Sequence, residues 1–70
     1  MIINFDKLIY DKDSVYSSIE IWLDYFNKID ISESKDNFII TLESNSNIHT
    51  LSYEFSNFVL DKTSSKEISQ

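Results

Sequence analysis

The chain contains no cysteine, glycine, proline, alanine or arginine. Without cysteine, neither a disulfide nor a thiolate metal site can supplement the core of a 70-residue domain. Without glycine there is no phosphate-cradling loop. Any backbone position with positive φ then falls to asparagine or aspartate, the next most tolerant residues. Basic residues are scarce: six lysines face twelve acidic residues, a net charge of −6. That balance argues against binding nucleic-acid backbone, which needs a basic surface, and disfavours anionic membranes. No apolar run approaches the roughly 20 residues that span a bilayer. Asn4 and Asp6 follow Met1-Ile2-Ile3 too soon for a secretory leader, so the expected location is the cytoplasm. The charge reads as a solvated surface or, more sharply, as an acidic face that docks on a basic partner or mimics DNA.

What the chain has instead is bulk. Five Phe, four Tyr, one Trp and eleven Ile supply the core, each worth roughly 1.5–3 kcal/mol when fully buried. The strongest pattern is Ser14 to Lys28, where Val15, Ile19, Trp22 and Phe26 fall on one helical line, widened by Leu23 and Tyr16. Asp13 or Ser14 is suited to cap this helix. Before it, Met1 to Phe5 alternates as a short strand, and Leu8, Ile9 and Tyr10 are expected to staple the charged connection onto the core. After it, Ile29 to Glu33 and Phe38 to Glu43 alternate around Ser34-Lys35-Asp36-Asn37, a hairpin whose Asp36 and Asn37 suit left-handed backbone. From Ile48 the period is helical again, with Ile48, Leu51, Phe55, Phe58 and Val59 on one face; His49, Leu51, Tyr53 and Phe55 also allow a strand there. The order β-α-β-β-α predicts a single small α+β domain over 1–62. It has a three-stranded antiparallel sheet in order 1-3-2, with both helices on one face and Trp22 and Phe55 between the layers. Residues 63–70 read as a frayed tail.

Catalytic chemistry is thin. His49 is the only histidine and has no ligand companions, so no metal or cofactor is expected. Glu20 and Asp24 lie one helical turn apart on the polar side, a solvated pair and not an acid–base pair. More prominent are apolar residues off the core faces. Ile21 and Tyr25 on the first helix, Tyr53 and Leu60 on the second, and Ile2 and Ile39 on the sheet are candidates for contacting a partner. The expectation is a non-enzymatic protein that binds another protein or peptide, as a dimer or a hetero-complex, with the sheet edges open to an added strand.

Phe5-Asp6, Tyr10, Tyr25-Phe26, Ile40-Thr41-Leu42, Glu54-Phe55, Asn57 and Leu60-Asp61 form a line-up that resembles the small accessory proteins of His-Xaa-Ser systems (HxsD). The resemblance runs to about Asp61. It implies a compact accessory subunit working beside radical-SAM maturases on a precursor peptide with His-Xaa-Ser repeats. An acidic phage-type inhibitor that fills a basic, DNA-binding groove, or a structural subunit of a larger complex, are the alternatives that composition leaves open.

Overall fold

The computed structural model describes residues 1–68, with side chains through Ser65. Strand β1 (Ile2–Asp6) leads to helix α1 (Lys12–Trp22), strands β2 (Lys28–Glu33) and β3 (Asn37–Glu43), and helix α2 (Ile48–Ile68). The sheet has the order β1-β3-β2, with β3 antiparallel to both neighbours. β1 and β2 therefore run parallel to each other with β3 between them. This is the α+β architecture expected from the alternation.

Alternation also assigns the sheet faces. Phe5, Phe38, Ile40 and Leu42 are buried on one side, and Val15, Phe26, Phe55 and Val59 from the helical layer close over them. Ile3, Ile29 and Ile31 extend this face at half-burial. Ile2, Asn4, Ile39, Thr41, Asp30 and Ser32 alternate to the other side, which no element of the described residues covers.

α1 begins and ends earlier than its apolar period suggests. Its cap is Asp11, not Asp13 or Ser14: the Asp11 carboxylate accepts from the Ser14 amide at 3.0 Å and the Ser14 hydroxyl at 3.1 Å. Asp13 instead sits in the first turn, where a negative charge favours the exposed amides. The helix does not continue to Lys28. Leu23–Tyr25 tighten into a 3-10 turn and Phe26 becomes extended. The Asn27 amide then donates to the Glu43 carbonyl at 2.8 Å, so sheet pairing takes residues that the period had assigned to the helix. This rotation leaves Leu23 51% exposed, although it was expected to widen the core face.

Tyr10 does staple its loop, with its ring 4.6 Å from that of Phe5. Leu8 and Ile9 do not, being 95% and 57% exposed. The hairpin turn needs no left-handed residue: among the described residues none has positive φ. Ser34 closes that turn, its amide donating to the Asn37 carbonyl while its hydroxyl accepts from the Asn37 amide. The segment from Ile48 is helical, not a strand, and Asn47 caps it by accepting from the Thr50 amide. α2 then runs on to Ile68, so residues 63–68 are helix and not a frayed tail. Thr63 is buried there, its hydroxyl accepting from the Asp11 amide at 3.4 Å. Residues 69 and 70 of the expected tail lie outside the described residues.

Candidate functional site

Asp11 meets Thr63 at one end of the helix pair, and Trp22 meets Phe55 and Phe58 at the other, so α1 and α2 run antiparallel. Small residues form the α1 side of the seam. Ser14 and Ser18 are buried, and the Ser18 hydroxyl donates to the Ser14 carbonyl at 2.6 Å. On α2, the Ser52 and Ser56 hydroxyls donate to the His49 and Ser52 carbonyls. Each hydroxyl is thus satisfied within its own helix, which removes most of the cost of burying it.

Towards the end of α1 the contact between the helices becomes aromatic. The Trp22 ring lies 5.0 Å from Tyr25 and 5.8 Å from Phe58, with Phe55 beneath at 5.9 Å. Trp22 and Phe58 are half-buried, whereas Tyr25 is 62% and Ile21 51% exposed. Ile21 lies on the side of α1 that Ser14 and Ser18 turn to α2, and Tyr25 follows in the 3-10 turn with its ring against Trp22. Lys62 extends the strip, its ammonium 5.8 Å from the Phe58 ring centre. Exposed carboxylates flank it along the chain: Glu20 and Asp24 next to Ile21 and Tyr25, Glu54 and Asp61 next to Phe55 and Lys62. Apolar floor and acidic rim together fit a protein segment that carries apolar and basic side chains.

The six residues singled out from the sequence do not form one site. Ile21 and Tyr25 belong to the aromatic groove. Tyr53 and Leu60, 69% and 40% exposed, lie roughly 140–200° round α2 from Phe58, on the flank turned from α1. Ile2 and Ile39 are on the uncovered sheet face, but Ile2 pairs with Thr41 and Ile39 with Asn4 and Ser32, so polar neighbours separate them. Trp22 packs against the core as its period predicts, but it and Phe58 stay half-buried, and their part in an exposed strip is what sequence reasoning missed. Their half-burial depends on where α2 lies against α1, which no local pattern encodes.

The charged cluster of the fold lies elsewhere. At the end of β2, Glu33 accepts from the Tyr16 hydroxyl at 2.8 Å, pairs with Lys7 at 3.0 Å and lies 3.6 Å from Lys12. The Tyr16 hydroxyl, and then Lys7, hold the Glu33 carboxyl below the usual glutamate range, and the same hydrogen bond pushes the Tyr16 phenol up. Lys7 also lies 5.4 Å from the Phe38 ring centre, so the cluster ties the β1–α1 connection and α1 to the sheet. Its donors and acceptors are spent on one another. His49 is exposed in the first turn of α2. Among the described residues, no three His, Cys, Asp or Glu side chains converge as metal ligands, and no helix is long and apolar enough to cross a membrane. Comparison with known families, curated proteins and solved structures finds no match for this chain.

Proposed function

We propose that this chain is a non-enzymatic binding subunit whose partner seats an apolar segment in the groove between α1 and α2. The observation that carries this reading is the aromatic strip Tyr25–Trp22–Phe58, joined by ring contacts yet open to solvent beside Ile21. Rings exposed in a shallow seam and rimmed by charge are the usual anchors of a protein interface. The acidic rim adds attraction for a basic partner, and with it faster encounter. The resemblance to His-Xaa-Ser accessory proteins supplies the partners to try first: a precursor peptide with His-Xaa-Ser repeats, and its radical-SAM maturase.

The test is binding of those two probes by the chain and by the double variant Ile21→Ser/Tyr25→Ser. Both side chains are largely exposed, so the variant should melt close to wild type while its affinity falls at least tenfold. Binding abolished by moderate salt but untouched by the double substitution would support the acidic inhibitor of a basic groove instead.

A further inference from the structure

The backbone register leaves one sheet edge unspent. The Met1 amine donates to the Leu42 carbonyl and the Leu42 amide to the Met1 carbonyl; Lys7, at the other end, donates to Asp36. With the antiparallel register, residues 1, 3, 5 and 7 of this segment thus turn their backbone groups to β3. Ile2, Asn4 and Asp6 turn theirs outward. The Asp6 carbonyl is taken by the Ile9 and Tyr10 amides, which leaves Ile2 and Asn4 to form the open edge. The other outer strand, β2, is guarded by charge: Lys28 pairs with Asp30 and Glu43, and Glu33 with Lys7 and Lys12. β1 carries a single charged residue, Asp6 at its end, and none from Ile2 through Phe5.

α2 lines this edge with a surface of the same kind. Tyr16 of α1 reaches Glu33 at the end of β2, which places α1 on the β2 side of the sheet. The flank of α2 turned from α1 therefore lies on the β1 side. From His49 to Ser64 that flank carries His49, Tyr53, Ser56 and Leu60 and no carboxylate, although the chain has twelve acidic residues. Two chains of net charge −6 repel, so a surface poor in acids is where their association costs least.

We propose that this chain self-associates about a two-fold axis through its β1 edges. Antiparallel pairing centred on Ile3 sets Ile2 of one copy against Asn4 of the other, and each such pair exchanges both backbone hydrogen bonds. One six-stranded sheet results, and the Tyr53 and Leu60 flanks of the two α2 helices lie side by side above it. The surface is separate from the α1–α2 groove, so the dimer leaves the groove open.

Sedimentation of the full chain should give a mass near 8.3 kDa at low concentration and twice that at high concentration. Asn4→Pro removes an amide that points away from β3, a position where an edge strand tolerates proline. It should weaken association at least tenfold while keeping the far-ultraviolet spectrum of the monomer. Leu60→Lys, which leaves the sheet unaltered, should do the same and serves if the proline variant fails to fold. Because the chain has no cysteine, Ile3→Cys reports on its own copy alone. Facing residues of a non-hydrogen-bonded antiparallel pair lie about 4.5 Å apart, within disulfide reach. Oxidation should link Ile3→Cys into a covalent dimer and leave the β2 control Ser32→Cys monomeric. A chain that stays monomeric at millimolar concentration, or a dimer unaffected by both Asn4→Pro and Leu60→Lys, overturns the proposal.

Discussion

Phe55→Ala tests the packing most severely. Phe55 is fully buried, and its ring lies 6.2 Å from Phe5, 5.9 Å from Trp22 and 5.9 Å from Phe26, so it joins the sheet, α1 and the strand entry after it. Truncating such a side chain costs about 3–5 kcal/mol in lost transfer energy and cavity. A domain of this length has a total stability of about 3.5–10 kcal/mol, from roughly 0.05–0.15 kcal/mol per residue. The variant should therefore be close to unfolded at 25 °C. In urea, with a slope near 1 kcal/mol per M for a small domain, the midpoint should fall by about 3–5 M. Trp22 is the only tryptophan and touches Phe55, so its emission reports the transition directly. The unfolding should be followed at low micromolar concentration, where self-association contributes little. Tyr53→Ala, at a largely exposed position, should stay within about 0.5 kcal/mol of wild type. A Phe55→Ala variant that loses under about 1 kcal/mol would show that the two layers are not closed around this ring.

At Ser18 the seam between the helices predicts opposite outcomes for two substitutions. Ser18→Ala should change stability by less than about 1 kcal/mol, because the hydroxyl serves only its own helix. Ser18→Leu should cost about 1–3 kcal/mol by forcing the helices apart, and equal melting temperatures would refute the close approach. The Glu33 cluster predicts a pH dependence with two limbs. Glu33 titrates lower in the folded chain than in the unfolded one, so its contribution is present above the ordinary glutamate range and lost as pH falls through the depressed value. Tyr16 titrates higher when folded, so its contribution holds below the ordinary tyrosine range and is lost as pH rises through the raised value. Denaturation as a function of pH should show a shallower acid limb in Glu33→Gln, and an unchanged limb would remove Glu33 from the account. His49→Ala should leave melting temperature and partner affinity near wild type, and loss of a stoichiometric metal in that variant would overturn the non-enzymatic reading.

The sheet was legible because one of its faces is buried: Phe38, Ile40 and Leu42 alternate with Ile39, Thr41 and Glu43 with no competing period. The end of α1 was not, because Phe26 satisfies the helical spacing from Trp22 and also begins the approach to β2. Only the pairing of Asn27 with Glu43 decides between the two, and that contact is remote in sequence. Ser14, Ser18, Ser52 and Thr63 look like surface residues by type but are buried, since a close helix contact selects small side chains regardless of polarity. The rotation of α2 was readable from its own apolar face, with Tyr53 and Leu60 exposed as expected. Which flank of α2 meets α1 was not readable. The groove depends on that choice, which separates Ile21 and Tyr25 from Tyr53 and Leu60.

The binding role itself is tested most directly by titrating Trp22 emission with the His-Xaa-Ser repeat peptide and, separately, with the maturase. Trp22 is half-buried between Tyr25 and Phe58 in the aromatic strip, so a segment seated there must remove water from the indole. A saturable blue shift is expected with at least one probe, weakened at least tenfold by Ile21→Ser/Tyr25→Ser and unchanged by Tyr53→Ser/Leu60→Ser. Saturable binding of either probe that leaves Trp22 emission unmoved, or a shift that survives loss of Ile21 and Tyr25, would contradict it.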